Sequence, residues 1–509
     1  MIAKVLSYGL NGIEGYPVEV EVDISNGLPS FDTVGLPDAA VKESKERVRS
    51  AIRNSGLEFP AQRIIVNLAP ADTRKEGPVY DLPMAVGILA ATEQIPVETV
   101  EKYLFLGELS LNGEIRPVNG VLPMLIAARE KGYRRIILPD ENSLEGAVIE
   151  GVEIYSVRTL LETVGFLRGE ITLLPLEPVK WGSRNTRTSY IDFSQIKGQN
   201  HAKRAMEIAA AGGHNVLMIG PPGSGKTMLA RSIPSILPEL SLEEALEVTK
   251  IHSVAGLLKK DTGIIEERPF RSPHHTISSS ALTGGGRIPR PGEISLAHYG
   301  VLFLDELPEF NRNALEALRQ PLEDEVVTVS RVNGVVSYPA KFMFIVSMNP
   351  CPCGYYGSKI QECRCTPLQI QRYLSRISGP LLDRIDIHIE IDAVSYRQLE
   401  QSSGEEDSAT VRRRVNKARD IQLERYEKEG IFFNSQLKSG MIHRYCLIDT
   451  EAKELMRTAF SRLKLSARAY NRILKVARTI ADLDGESNIR SVHIAEAIQY
   501  RSLDRKYWS

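Results

Sequence analysis

Length, composition and charge limit what this chain can be. Its 509 residues exceed what one core of roughly 100–200 residues can organise, so we expect about two to four domains. The chain is 42% hydrophobic and 25% charged, as globular proteins are, and no apolar run approaches the roughly 20 residues of a membrane span. Because the net charge is −1, any binding to nucleic acid must depend on local basic patches.

The N-terminus and the sparse cysteines indicate a cytoplasmic protein with no membrane partner. Residues 1–20 lack the apolar segment and the small-residue cleavage site of a secretory signal. Five cysteines in a chain of this length are typical of a reducing compartment.

The first domain is predicted over residues 1–172 and has α/β character. Its β-like runs are PVEVEVDIS, RIIVNLA, YLFLGELSL and RRIILPD, and they alternate with the amphipathic stretches DAAVKESKERVRSAIRNSG and LPMLIAAREKG. A stretch that contains prolines and then turns polar predicts a linker over residues 173–190.

Two further domains are predicted after the linker. Over residues 191–394 the apolar strands NVLMIG, GVLFLDE and FMFIVSMN are separated by helical segments, which predicts a parallel sheet buried on both faces. Over residues 395–509 apolar residues recur three and four apart, which predicts a helical domain.

The pattern GPPGSGKT lies between a predicted strand and a predicted helix, where a phosphate-binding loop is expected. Its backbone N–H groups and the helix N-terminus would hold phosphate oxygens, Lys226 would reach the β- and γ-phosphates, and Thr227 would bind Mg²⁺. The alternative is a glycine-rich turn without a ligand. The predicted nucleotide-binding residues are Gly220, Pro221, Pro222, Gly223, Ser224, Gly225, Lys226 and Thr227.

Polar residues follow two of the predicted parallel strands. Asp305 would hold the metal ion that accompanies the nucleotide, and Glu306 would orient or deprotonate the attacking water. Asn349 is placed to contact the γ-phosphate or the water, although an asparagine there could also be a turn residue.

Two arginines could supply the positive charge that phosphoryl transfer requires at the γ-phosphate. Arg384 fits a finger that reaches into the site of a neighbouring subunit, and Arg468 fits a sensor on the C-terminal helical domain. The alternative for each is a solvated surface arginine.

Three segments together resemble the AAA+ ATPases, their magnesium-chelatase-like branch and, within it, the ComM (YifB) subfamily. They are DFSQIKGQNHAKRAMEIAAAGGHNVLMIGPPGSGKT, FRSPHHTISSSALTGGGRIPRPGEISLAHYGVLFLDE and YLSRISGPLLDRIDIHIEI. The resemblance covers essentially the full length. It implies a P-loop NTPase core with a helical lid and a ring, commonly hexameric, with ATP at its subunit interfaces. It also implies single-stranded or branched DNA as a partner and branch migration in homologous recombination, notably in natural transformation, as the task.

Two segments resemble the pore elements of this branch. One is the insert at residues 270–293. The other is a hairpin with alternating β-branched residues around the Asn-Gly pair at residues 333–334, which favours a tight turn. Both would face DNA and contact its phosphates without reading bases, or their arginines could be merely solvated. The candidate DNA contacts are Arg287, Arg290 and Arg331.

His274 and His275 raise the alternative of a metal site. Because adjacent side chains rarely point the same way, we expect these two to diverge and favour a structural or pore role.

The N-terminal domain resembles the proteolytic domain of Lon, a ribosomal-S5-domain-2-like fold, but lacks its Ser-Lys dyad. The matching positions are Val79 and Leu122, which can neither attack a carbonyl nor accept a proton. We expect the fold without the peptidase, used for assembly or DNA contact.

Four of the five cysteines lie within residues 351–365 as two Cys-x-Cys pairs. They could bind Zn²⁺ tetrahedrally, pack as reduced thiols, or form disulfides, which the reducing compartment disfavours. Cys446 stands alone and is expected in the core. The candidate zinc ligands are Cys351, Cys353, Cys363 and Cys365.

The sequence thus predicts a homo-oligomeric, Mg²⁺-dependent ATPase motor on DNA. The leading alternative is a chelatase-type motor that drives metal insertion with partner subunits. A Lon-like protease is disfavoured by Val79 and Leu122, and a non-catalytic nucleotide-gated module by Glu306 and the two arginines.

Overall fold

The chain folds into two compact units in a computed structural model. The model describes residues 2–179, 181–182, 190–286, 289–331, 334–358, 361–394, 405–463 and 465–508. The first unit comprises Met1–Asn185 with Leu242–Glu266, and the second comprises Thr186–Ser241 with Glu267–Ser509.

The first unit is built on a mixed sheet of seven described strands. The long strands Ile2–Asn11 and Glu14–Ser25 pair antiparallel over their whole length, and the strands beyond Ile2–Asn11 continue the sheet in parallel. Across the sheet, the strands are Ser30–Val34, Arg63–Ala69, Glu14–Ser25, Ile2–Asn11, Leu104–Phe105, Arg135–Pro139 and Glu153–Val157. A separate two-stranded ribbon pairs Glu108–Leu109 with Ile115–Arg116.

Helices pack on this sheet, one by a single apolar face and one buried on all sides. Ala39–Asn54 begins at Asp38, whose side chain accepts a hydrogen bond from Val41 N at 2.8 Å, and it buries Val48 and Ile52. Asp81–Ala91 is buried at every position. The described helices of this unit are Ala39–Asn54, Asp81–Ala91, Val97–Val100, Val121–Glu130, Ser143–Gly146, Leu160–Leu167 and Leu242–Val254.

The two positions that match the Lon dyad lie inside this core. Val79 is 6% exposed and Leu122 is fully buried. Both side chains are apolar and buried, so neither position can supply the nucleophile or the base of a Ser-Lys peptidase.

The segment Leu242–Glu266 packs with the N-terminal fold, which differs from the predicted domain boundaries. Leu246 packs against the N-terminal core, and Ser253 Oγ donates a hydrogen bond to the buried carboxylate of Glu145. The sequence predicts this segment within residues 191–394, since helical periodicity carries no information on which core a helix covers.

The second unit contains a fully parallel sheet of five described strands. The three central strands are buried at every position, as expected for a sheet covered on both faces. In order across the sheet, the strands are Phe270–Arg271, Val301–Leu304, Met343–Met348, Val216–Ile219 and Ile387–Glu390. Two antiparallel ribbons lie outside it, Gly284–Gly285 with Arg290–Pro291 and Val326–Arg331 with Gly334–Pro339.

Helices dominate the rest of the second unit and most of the chain after residue 405. The described helices are Asn200–Gly212, Lys226–Ser232, Ser279–Thr283, Glu293–Leu296, Arg312–Ala317, Pro321–Asp324, Pro367–Leu374, Gly379–Leu382, Ser408–Tyr426, Ser439–Tyr445, Thr450–Leu463, Ala467–Leu483, Ser491–Gln499 and Leu503–Trp508. Across the described residues, none of the helices combines the length and apolar character needed to cross a membrane. The predicted α/β class, with a parallel-sheet core and a helical C-terminal region, is confirmed.

Candidate active site

The phosphate-binding loop lies between the strand Val216–Ile219 and the helix Lys226–Ser232. Gly223 and Gly225 adopt φ values of +74° and +87°, which residues with a Cβ disfavour. The hydroxyl of Ser224 is buried and has no hydrogen-bond partner among the described atoms. A buried hydroxyl without a partner fits a loop that is completed by a polar ligand.

Lys226 holds its ammonium group beside this loop. Its Nζ donates to Gly220 O at 2.7 Å, to Pro221 O at 2.9 Å and to Asn349 Oδ1 at 3.2 Å. Burial lowers the pKa of Lys226, and the nearby charges of Asp305 and Glu306 oppose this shift. The structure therefore brings Asn349 to the lysine of the phosphate-binding loop.

Thr227 and Asp305 bring a hydroxyl and a carboxylate together. Thr227 Oγ1 donates to Asp305 Oδ2 at 2.7 Å, and Ser347 Oγ donates to the other carboxylate oxygen. Oxygen ligands of this kind are those that Mg²⁺ prefers, so the donor set fits the Mg²⁺ that accompanies ATP. Sequence reasoning missed Ser347, although a serine inside the otherwise apolar run MFIVSM was the available signal.

Glu306 follows Asp305 in an unusual backbone conformation. Its φ is +55° and its ψ is 50°, a left-handed geometry that costs about 1–2 kcal/mol for a residue with a Cβ. The side chain is 54% exposed, and its carboxylate lies 3.7 Å from His275 Nδ1. Strain of this kind concentrates at functional sites, and the exposure leaves the carboxylate open to water.

The rings of His274 and His275 lie together, so the expectation that they diverge is wrong. Their centroids are 4.0 Å apart and their planes differ by 35°. The reason is that the strand Phe270–Arg271 ends before them, so the alternation of side chains along a strand does not apply. Sequence reasoning also missed the approach of His275 to Glu306.

Arg384 and Arg468 lie at the edge of the sheet formed by the amino ends of its strands. The phosphate-binding loop lies at the opposite edge, formed by the carboxyl ends. Val216 pairs in parallel register with Ile387, so Arg384 precedes one strand while the loop follows its neighbour. Arg384 contacts Glu323, and Arg468 Nη1 lies 3.3 Å from Asp383 Oδ2. The structure thus brings the two arginines to one region and does not bring them to Lys226 of the same chain.

The two arginines line a cavity of about 810 Å³ at this edge. The cavity wall also includes Asn215, Gly300 and Met343, which stand at the start of three central strands. Glu323 and Asp383, which pair with the two arginines, line the same cavity, so its wall carries charges of both signs.

The candidate DNA contacts are only partly described. Arg290 is exposed in a short ribbon strand, whose neighbour Pro289 accepts a hydrogen bond from Tyr338 Oη at 2.8 Å. The insert and the predicted hairpin therefore pack against each other, and the antiparallel pairing of the two hairpin strands is confirmed. Arg287, residues 332–333 and the side chain of Arg331 lie outside the part of the chain that the structure describes.

The four clustered cysteines converge in space. Their Sγ atoms all lie within 4.8 Å of one another, and every cysteine of the chain is a free thiol, so the disulfide alternative finds no support. Burial raises the pKa of Cys351 to about 12. For Cys353, burial is outweighed by hydrogen bonds from the backbone of Tyr355 and Arg364, and the pKa falls to about 6. Cys446 is buried in the core, as expected.

Family models match most of the chain. A model described as magnesium chelatase, subunit ChlI, matches residues 192–399. A model described as subunit ChlI of Mg-chelatase matches residues 20–142, and one described as the ChlI C-terminal region matches residues 405–501.

Similar proteins extend over the full length. The competence protein ComM of Haemophilus influenzae is 46% identical over 510 residues, which cover 99% of this chain and 98% of the relative. The protein YifB of Salmonella typhimurium is 46% identical and covers 97% of this chain and 96% of its own. Lon protease 2 of Bacillus subtilis is 30% identical over 176 residues, 31% of each chain, in agreement with a Lon-like N-terminal region.

Proposed function

Because the chain belongs to the ComM (YifB) family of magnesium-chelatase-like AAA+ ATPases, we propose that it hydrolyses ATP in a ring of identical subunits and moves on DNA. The observation that carries the ATPase part is the 2.7 Å approach of Thr227 Oγ1 to Asp305 Oδ2. It joins the phosphate-binding loop to a strand-end carboxylate at the edge where parallel sheets bind ligands.

Each residue of the site has a role in this proposal. Lys226 would hold the terminal phosphates, and Thr227 with Asp305 would hold Mg²⁺, which supplies charge neutralisation when bound. Glu306 would orient or deprotonate the attacking water, which its exposed side chain can reach. Asn349, beside Lys226, would contact the γ-phosphate or the water. The four-cysteine cluster would hold Zn²⁺.

A ring explains where the two arginines stand. A side chain at the opposite edge of the sheet is remote from the phosphate-binding loop of its own chain, because even a four-residue strand spans about 13 Å. Subunits packed head to tail in a closed ring would place that edge against the loop of the next subunit. We propose a hexamer in which Arg384 and Arg468 both complete the neighbour's site.

DNA as the partner has narrower support. Arg290 is exposed on the ribbon that packs against the hairpin, and phosphate contacts require only positive charge. One relative is named a competence protein, which suits a role in homologous recombination during natural transformation. We propose single-stranded or branched DNA as the substrate, branch migration as the activity and the cytoplasm as the location.

The decisive measurement is ATP turnover without DNA and with single-stranded, forked or four-way-junction DNA. We expect a branched or single-stranded DNA to raise turnover. Glu306→Gln should retain ATP binding while turnover falls about 100-fold or more, because the variant cannot accept a proton. No stimulation by any DNA would contradict the DNA motor.

A chelatase-type motor is the second candidate, because the matching family models carry the chelatase name. It would use the same site to drive metal insertion through partner subunits. ATP turnover that rises with a porphyrin-metalating partner and does not change with DNA would favour this alternative.

A further inference from the structure

The sulfur atoms of Cys351, Cys353 and Cys363 have the spacing of a tetrahedral metal site, and that of Cys365 lies within 4.8 Å of each. Cys351 Sγ lies 3.4 Å from Cys353 Sγ, and Cys363 Sγ lies 3.7 Å from both. Four thiolates at about 2.3 Å from Zn²⁺ would stand about 3.8 Å apart. A disulfide would require a sulfur–sulfur distance of about 2.05 Å. Simple packing of thiols gives no reason for both Cys-x-Cys pairs to bring their sulfur atoms to one point.

The loop that carries these cysteines depends on such a cross-link for its shape. Residues 351–358 and 361–365 contain turns and bends but no helix or strand. Its backbone is directed at the sulfurs, because Tyr356 N donates to Cys351 Sγ at 3.3 Å and Cys365 N donates to Cys363 Sγ at 3.4 Å. Hydrogen bonds of this kind orient metal ligands and stabilise their negative charge.

The same loop packs directly on the phosphate-binding loop. Gly354 is buried with φ at +86°, and a Cβ at this position would lie 2.5 Å from Cδ and 2.8 Å from Cγ of Pro222. Only a glycine permits so close an approach to that proline ring. Pro222 itself belongs to the phosphate-binding loop.

We propose that Zn²⁺ bound by the four cysteines holds this loop against Pro222 and thereby sets the shape in which the phosphate-binding loop accepts ATP. The proposal rests on the proposed ATPase function and adds a metal-dependent support for the nucleotide site. The zinc is structural, since four thiolates leave no open coordination position for a substrate.

The experiment measures zinc content by mass spectrometry and the affinity for a fluorescent ATP analogue in purified variants of the full chain. We expect one zinc per wild-type chain. The double variant Cys363→Ser/Cys365→Ser should lose the zinc and bind the analogue about 10-fold more weakly. Cys446→Ala, which removes the unclustered thiol, should change neither quantity.

Substitutions at two glycines separate the effect of the contact with Pro222 from the effect of the zinc. Gly354→Ala should retain zinc but bind the analogue about 10-fold more weakly, because its Cβ would push Pro222 away. Gly357→Ala is the matched control, since this glycine has φ at +75° in the same loop and its Cβ would meet only Lys506, at 3.7 Å. It should retain both zinc and affinity.

The outcomes distinguish this proposal from the ATPase itself. If the wild type binds the analogue and Lys226→Ala does not, the nucleotide site is supported independently of the zinc. A wild type without zinc, or equal affinities for Gly354→Ala and Gly357→Ala, would overturn the proposed support. The glycine pair keeps the test decisive even if the cysteine variant fails to fold.

Discussion

Asp305 is the residue on which the chemistry of the site converges. It accepts hydrogen bonds from Thr227, from Ser347 and from the backbone N–H of Glu306. These contacts hold both carboxylate oxygens in place, which reduces the ordering that metal binding would have to impose. Ser347 acts on Asp305 and is therefore a positioning residue.

Ser347→Ala should raise the Mg²⁺ concentration for half-maximal ATP turnover about 10-fold, because groups that orient a metal ligand typically matter by this much. Turnover measured against Mg²⁺ concentration tests this. Ser347→Thr keeps the hydroxyl and should restore the wild-type requirement. An unchanged Mg²⁺ requirement in Ser347→Ala would show that Asp305 does not depend on this contact.

The sequence motifs indicated Lys226, Thr227 and Asp305 as candidate site residues. They did not indicate every side chain that contacts these three. A glycine-rich loop that ends in a lysine is a motif of a few consecutive residues, so the sequence alone shows it. No such pattern encodes the contacts of Ser347 and His275, because each contact joins segments that lie far apart in the chain. Their side chains acquire a role only when the sheet aligns them.

At the scale of elements, a buried ionic cluster joins the parallel sheet to the C-terminal helices. Asp386, just before the strand Ile387–Glu390, lies 3.1 Å from His214 Nδ1 and 3.4 Å from Arg472 Nε on the helix Ala467–Leu483. Burial would raise the pKa of Asp386, but the hydrogen bond from His214 and the charge of Arg472 lower it to about 2. The cluster therefore stabilises the carboxylate form.

Asp386→Asn should lower the free energy of unfolding by about 3 kcal/mol at neutral pH, because the variant leaves Arg472 without its buried partner. The native pKa lies below the value of about 3.9 expected in the unfolded chain, so the contribution is present above about pH 4 and declines toward pH 2. Urea unfolding between pH 7 and pH 3 measures both effects.

The matched control for this prediction is Asp383→Asn. Asp383 contacts Arg468 and Arg472 but is 35% exposed, so its loss should cost less than about 1 kcal/mol. Equal destabilisation by the two variants, or a difference between wild type and Asp386→Asn that does not shrink as the pH falls, would contradict the assignment.

At the scale of the whole molecule, the residues proposed for the active site lie at two edges of one sheet. The phosphate-binding loop stands at one edge, and Arg384 with Arg468 stands at the other. In the proposed ring, a neighbouring copy would supply the two arginines to the nucleotide held by the loop. This arrangement makes the proposed oligomer a condition for activity.

Mixing two inactive variants tests the shared site. Lys226→Ala disables the loop and Arg384→Ala disables the opposite edge, so each homogeneous ring should be inactive. In a random equal mixture, an interface is competent when the loop comes from one variant and the arginine from the other, which gives about one quarter of wild-type turnover. Turnover measured across mixing ratios should peak at equal amounts.

Two results would contradict the shared site. One is a mixture no more active than its components, provided that the two variants are shown to exchange subunits. The other is Arg384→Ala with wild-type turnover in the unmixed state. A double variant, Lys226→Ala/Arg384→Ala, mixed with either single variant serves as the control, since no competent interface can form.

By itself the sequence determined the α/β class, the phosphate-binding loop, the carboxylates at the strand ends and the occurrence of four cysteines in one short segment. These depend on turn chemistry and on the burial pattern of single elements, both of which are local. It also indicated the hairpin through its Asn-Gly pair.

Only the tertiary structure decided which of these features meet. It brought Thr227 to Asp305 across 78 residues, seated Gly354 on Pro222 and joined Leu242–Glu266 to the N-terminal fold. The order of strands in the parallel sheet sets such contacts, and it also places Arg384 and Arg468 at the edge opposite the loop. Strand order follows from how separate helices and strands cover one another, and no local pattern encodes that choice.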